Sequence, residues 1–199
     1  ESFYKKVVKK GNVVVQAHEW QSGGAALYVK KHLPEAGTIF TTHATSIGRS
    51  IASNGKPLYD YFEGYNGDQM ADELNVQSKH SVERVSAANV DCFTTVSEIT
   101  ARECKQLIER DIDVILENGF EKDFVPTGKD FIAKREKARA ARLRVSAALT
   151  GDTISDDALI IGIGGRMEMR NKGIDMFLEA MARLNSSEEL TRDVIAFID

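Results

Sequence analysis

Short apolar runs recur along the chain at intervals that leave room for one helix between each pair. Asn12–Gln16, Thr38–Thr42, Cys92–Val96, Asp113–Leu116, Ala158–Ile163 and Asp193–Ile198 are each four to six residues long and rich in Val, Ile, Thr and Phe, the signature of buried strands. The segments between them read as helices. Ala25–Lys31 opens after Gly23-Gly24, and a helix capped by Ser78 carries Val82, Val85 and Ala88 on one stripe. Ile99–Glu109 has Thr100 and Glu103 at capping-box spacing and Ile99 with Cys104 as a staple, and Ile174–Leu184 follows the fifth strand. The polar, Gly- and Tyr-rich stretch Gly55–Gly67 reads as a long loop. Strand and helix in alternation predict an α/β fold with a parallel sheet covered on both faces.

From Lys129 to Arg144 the character changes. Seven Lys or Arg stand against two acidic residues, and Ile132, Ala138, Leu143, Val145 and Leu149 leave only a weak apolar stripe on a long helix. Such a helix suits an anionic partner, or a solvated face between two domains. Gly151–Asp157 is a polar loop, so the domain boundary falls within this region. The expected division is 1–120, a linker with its basic helix over 121–157, and 158–199. The last segment holds only a strand, a helix and a strand, too few to cover a sheet. Ile160, Ile161, Ile163, Val194, Ile195 and Phe197 are nonetheless expected to be buried, because large apolar side chains are costly to leave in water. A chain that opens at Glu1 and stops just after a strand reads as an internal piece of a longer protein.

Composition narrows the function classes. A 42% hydrophobic and 28% charged chain of 199 residues can build one or two packed cores. The net charge of −4 speaks against a nucleic-acid partner. No apolar run approaches the ~18–20 residues that span a bilayer, so no membrane role is expected. Cys92 and Cys104 have no metal-ligand spacing. Two free thiols fit a reducing compartment, and the expected location is the cytoplasm.

The candidate chemistry sits just after the strands, where open α/β sheets bind ligands. His18-Glu19-Trp20 follows the first strand, Thr41-Thr42-His43-Ala44 closes the second, Thr94-Thr95-Val96-Ser97 the third, and Glu117-Asn118-Gly119 the fourth. The fifth runs into glycines and releases Arg166 and, six residues later, Lys172. Two cations beside a helix N-terminus suit a diphosphate. Glu168 between them can orient either by a salt bridge. Gly162-x-Gly164-Gly165 does not complete G-x-G-x-x-G, since Met167 takes the last position, and no Lys-Ser/Thr follows as in a P-loop. Nicotinamide and ATP readings therefore weaken. Bland readings stand beside these. His43 either contacts a ligand or holds the loop that includes Arg49. Trp20 packs rather than stacks on sugar, and His32 and His80 look like ordinary helix residues. Asn118-Gly119 also suits a turn.

Taken together and in this order, from about Val13 to Ile198, these motifs resemble the glycogen synthases of the animal, fungal and related bacterial type. The resemblance implies two facing Rossmann-like domains of the GT-B type, only partly present: the end of the first and the opening strand–helix–strand of the second. It implies retaining transfer of glucose from UDP-glucose to the non-reducing end of an α-1,4-glucan. Under it, His18 contacts the donor glucose through a hydroxyl, Asn118 lies near the reacting sugar, and Arg166 and Lys172 hold the diphosphate. Arg49, Tyr65 and Asn66 become candidate acceptor or loop contacts. No cofactor and no metal are implied, and a homo-oligomer is left open. Starch-type synthases, which favour ADP-glucose, usually place the lysine five residues after the arginine and carry His-Asp-Trp. The interval of six, His18-Glu19-Trp20 and Thr42-His43-Ala44-Thr45 resemble the UDP-glucose type instead. Met167 departs from the tyrosine usual at that position. A starch-type synthase and a non-catalytic sugar-nucleotide or glucan-binding relative remain the alternatives. The paired glutamates and glycine-rich loop of the family are not found in this sequence.

Overall fold

The computed structural model describes residues 12–199, so the first eleven positions of the expected 1–120 domain lie outside the described residues. Two compact units are present, one ending at Asn118 and one running from Gly119 to Asp199.

In the first unit, β1 (Val14–His18), β2 (Gly37–Thr42), β3 (Cys92–Thr95) and β4 (Val114–Ile115) form one sheet in that order, with every pair parallel. Register aligns their carboxyl ends: His18 lies beside Thr41, Thr42 beside Thr95, and Thr95 beside Ile115. Consecutive parallel strands need crossovers, and helices supply them. α1 (Glu19–His32) joins β1 to β2. α2 (Ser46–Ser53), α3 (Gly67–Glu73) and α4 (Gln77–Asn89) join β2 to β3, and α5 (Glu98–Glu103), running on into a π-helical turn over Cys104–Ile108, leads to β4. The sheet core is built on Phe40 and Phe93, stacked 5.8 Å apart, with Ala17, Ala26, Ala87 and Ile108 around them.

Several local expectations are corrected. Gly23-Gly24 does not open a helix but lies inside α1. There it permits close approach: a Cβ on Gly23 would sit 2.3 Å from Ser86 Oγ on α4. α4 buries His80, Glu83, Ser86 and Ala87, while Val85 is exposed, so its inward stripe is largely polar. Ser78 does not cap it; the residue before the helix is Val76, with no side-chain cap. In α5 the cap is Ser97, whose hydroxyl accepts from the Thr100 amide at 3.2 Å. Glu103 points into the core and Ile99 is exposed, so neither the capping box nor the staple forms. The expected loop Gly55–Gly67 buries Leu58, Phe62 and Tyr65 against Ile47, Ile51 and Met70.

The second unit contains α6 (Gly128–Thr150), β5 (Leu159–Ile163), α7 (Ile174–Asn185) and β6 (Val194–Ile198), with β5 and β6 parallel. On α6, Leu143 and Ser146 are the buried residues, and Ile132, Val145 and Leu149 are exposed, so the weak stripe is not a core face. Part of its positive charge is used internally. Arg139 donates to the carbonyls of Asp156 and Ala158 at 2.6 Å, and Arg142 pairs with Asp199 at 2.7 Å while lying over the Phe197 ring. The six β5 and β6 side chains expected to be buried are only half-buried, because a two-stranded sheet with so few helices cannot cover both faces.

Candidate functional site

In the first unit the site is the rim formed by the carboxyl ends of the strands. His18 ends β1 and turns the chain into α1 through Glu19, a non-glycine residue at φ 64°. That left-handed conformation is strained for a side chain carrying a Cβ and marks a position held by its surroundings. The Glu19 carboxylate accepts from the His43 amide at 3.1 Å and lies 3.9 Å from the Arg49 guanidinium. The exposed His18 ring meets His43 through Nδ1 and Nε2, 3.0 Å apart. Trp20 is half-buried, with the Lys79 ammonium 5.7 Å over its ring.

Below this rim the threonines are buried and fully engaged. Thr41 and Thr94 share a hydrogen bond at 2.7 Å, and Gln16 donates to Thr41 at 2.9 Å. Two buried carboxylates then grip the loop from Thr42 to Ser46. Glu83 of α4 accepts from the Thr42 hydroxyl and from both the amide and hydroxyl of Ser46, at 2.7–2.8 Å. Burial pushes its carboxyl up, against the three donors. Glu103 of α5 accepts from Thr45 at 2.7 Å and from the Tyr59 hydroxyl at 2.6 Å. Burial, then the bond to Glu103, pushes the Tyr59 phenol far up. Thr45 in turn caps α2 by accepting from the Gly48 amide at 3.0 Å. Neither clamp is foreseen from the sequence, where Glu103 reads only as a capping-box partner of Thr100.

The other candidates are placed as follows. Asn118 is exposed at the end of the first unit. Arg49 is half-exposed beside Glu19. Tyr65 is buried in the cluster around Ile47, edge-on to Tyr61, and Asn66 caps α3 by accepting from the Gln69 amide at 3.0 Å. Tyr65 is thus packed within that cluster, whereas Asn66 is exposed and caps its helix. His80 lies in its helix and is buried, with Nε2 3.1 Å from Asp68.

In the second unit, β5 runs out through Gly164-Gly165 into a turn that carries both cations. Arg166 Nη2 pairs with Glu168 Oε1 at 3.0 Å, so of the two cations it is Arg166 that the carboxylate holds. The Glu168 carbonyl accepts from the Lys172 amide at 3.0 Å and closes the turn. The aliphatic stem of Lys172 lies over Gly165, 3.5 Å from where a Cβ would stand. Gly173, at φ 68°, then starts α7. Arg166 and Lys172 are both exposed and project from one turn at a strand's carboxyl end beside a helix N-terminus. This geometry can receive a diphosphate. Among the described residues, no group of three or more His, Cys, Asp or Glu side chains is placed to hold a metal ion, and no helix is long and apolar enough to cross a membrane.

The profile of the family described as glycogen synthase matches residues 1–198. The chain belongs to the glycogen synthase family. It is 37% identical over 194 residues to a glycogen [starch] synthase of Dictyostelium discoideum, a match that covers 93% of this chain and 22% of that protein. Isoform 2 of glycogen [starch] synthase from Saccharomyces cerevisiae is 36% identical over 94% of this chain and 27% of its own length. The human liver glycogen [starch] synthase is 37% identical over 87% of this chain and 25% of its own length. The chain thus spans about a quarter of the length of the curated glycogen synthases it matches. The α/β architecture with parallel sheets fits a partial Rossmann-like member of the glycogen synthase family.

Proposed function

We propose that this chain is part of a hexosyltransferase that moves glucose from UDP-glucose to the non-reducing end of glycogen or another α-1,4-glucan, with retention of configuration. Membership of the glycogen synthase family supports the reaction class. The observation that carries the mechanism is the Arg166–Lys172 turn at the end of β5. Breaking the bond between glucose C1 and the diphosphate leaves additional negative charge on the departing UDP. Arg166 chelates phosphate oxygens through its planar fork and Lys172 adds a point charge, so both act where that charge develops. Glu168 orients Arg166 without neutralising the site, since the guanidinium remains largely exposed. His18 directs one hydroxyl of the donor glucose, and Asn118 lies near the reacting sugar. Arg49, Tyr65 and Asn66 are the candidate acceptor or loop contacts.

In this reading charge stabilisation comes from the two side chains, and turnover needs no added metal. The free thiols Cys92 and Cys104 suit a cytoplasmic setting. The test is glucose incorporation into glycogen by the full-length protein, from UDP-glucose and from ADP-glucose, with and without a chelator. Incorporation from UDP-glucose that persists on chelation is the expected result. A clear preference for ADP-glucose moves the assignment to a starch-type synthase. Loss of transfer on chelation contradicts the metal-free mechanism, and binding without transfer from either donor points to a non-catalytic relative.

A further inference from the structure

The loop between β2 and α2 is held far more firmly than a connecting loop needs. Thr42 and Ser46 are bound by Glu83, Thr45 by Glu103, and the His43 amide by Glu19. Glu83 and Glu103 are both buried, and burying a carboxylate is costly unless donors satisfy it. Three acidic side chains, from α1, α4 and α5, therefore engage four of the five residues from Thr42 to Ser46. The His43 ring itself faces none of these carboxylates through a hydrogen bond; its Nε2 meets His18 Nδ1 at 3.0 Å, with the ring centroids 5.3 Å apart and the planes 32° from parallel.

We propose that His43 is a positioning residue for His18: their hydrogen bond occupies Nδ1, holds the plane of the His18 ring and leaves Nε2 as the atom offered to the donor hydroxyl. This rests on the reading of His18 as a donor contact. A neutral imidazole has one donor and one acceptor nitrogen, and the role of one fixes the role of the other. With Nδ1 committed to His43, Nε2 is the nitrogen left for the sugar, in the role opposite to the one Nδ1 takes toward His43. A rotating, unpartnered ring on an exposed strand end offers either nitrogen in either role. The carboxylate clamps give this bond its direction, because they hold the His43 backbone against the neighbouring strand. The charged neighbours of the pair, Glu19 and Arg49, engage each other at 3.9 Å rather than the rings.

The experiment combines a spectroscopic and a kinetic readout. In the full-length protein labelled with ¹⁵N-histidine, the ring nitrogen shifts of His18 report whether Nδ1 is hydrogen-bonded. The His18 Nδ1 shift is expected to carry the hydrogen-bonded signature in the wild type, to lose it in His43→Ala and to recover it in His43→Gln, whose amide reaches the place of Nε2. An unchanged His18 Nδ1 shift in His43→Ala overturns the proposal. In the kinetic arm, His43→Ala is expected to lose about three- to tenfold in kcat/KM, the scale of one hydrogen bond, and His43→Gln to recover most of it. If Nδ1 is released but kcat/KM is unchanged while His18→Ala is impaired, the positioning role is overturned. If His18→Ala itself has normal turnover, the reading of His18 fails instead, and the spectroscopic result still decides whether His43 fixes its ring.

Discussion

Replacing Glu83 separates the two physical contributions of the buried carboxylate: its hydrogen bonds and its charge. Glu83 is fully buried and accepts from the Thr42 hydroxyl and from the amide and hydroxyl of Ser46. Glu83→Ala removes all three acceptor contacts. The two hydroxyls can turn elsewhere, but the Ser46 amide cannot. Orphaned buried donors together with the cavity put the loss at about 3–5 kcal/mol, a large share of the about 5–15 kcal/mol that holds a domain folded. Glu83→Gln keeps the volume and one carbonyl oxygen. That oxygen can serve Ser46 while the amide nitrogen donates to Thr42, whose hydroxyl oxygen is able to accept, so the expected loss is only about 1–2 kcal/mol.

The charge shows in the pH dependence. Burial lifts the Glu83 carboxyl above its usual 4.5, with Glu19 adding to the lift and the Ser46 and Thr42 donors opposing it. The folded chain then holds this proton more tightly than the unfolded chain. The stability from that difference is full below pH 4.5 and is lost as pH rises through the folded-state value. Glu83→Gln has no such group. The advantage of wild type over Glu83→Gln should be greatest in acid and shrink toward neutral pH. Urea unfolding of wild type and both variants, followed by circular dichroism across that range, measures all of this. An advantage over Gln that is constant with pH, or an Ala variant no less stable than Gln, would refute the reasoning.

Two further substitutions test the helix crossing and the buried histidine. Gly23→Ala places a Cβ 2.3 Å from Ser86 Oγ and 3.1 Å from Ser86 Cβ, whereas Gly24→Ala meets nothing within 4 Å. Thermal unfolding should show Gly23→Ala destabilised by about 1–3 kcal/mol and Gly24→Ala stabilised by about 0.5–1 kcal/mol as a helix-interior Gly→Ala change. For His80, burial lowers the pKa from 6.5, with Asp68 opposing. The folded chain therefore binds the proton less readily than the unfolded one, so the contribution of this group is full above pH 6.5 and is lost as pH falls through the folded-state value. The urea midpoint of wild type should drop over that interval more than that of His80→Gln, and equal drops would contradict it.

The strands and the strand-end motifs were legible because a parallel strand is a short continuous apolar run and its carboxyl end is where the chain turns polar. All six predicted strands are present, displaced by a residue or two at their ends. Helix faces were harder to read. The inward face of α4 carries His80, Glu83 and Ser86, which pattern reading assigns to solvent. Glu83 is buried because donors from a loop some forty residues earlier in the sequence satisfy it, and nothing local signals that pairing. The glycine pair inside α1 misled for a similar reason: glycine weakens a helix locally, yet here it permits the approach of α4. In the candidate site, Arg166, Lys172 and His18 were visible from spacing and resemblance. The His18–His43 bond and the carboxylate clamps depend on register between strands and on packing across the sheet, and were not.

In the proposed mechanism, Arg166 and Lys172 stabilise the diphosphate as it leaves. The most direct measurement is kcat for glucose transfer from UDP-glucose to glycogen by the full-length protein carrying Arg166→Ala or Lys172→Ala, with folding checked by circular dichroism. Both side chains are exposed, so the fold should survive either change. Folded variants with kcat reduced by about 10²–10³ each are expected. Near-normal turnover in both would contradict it.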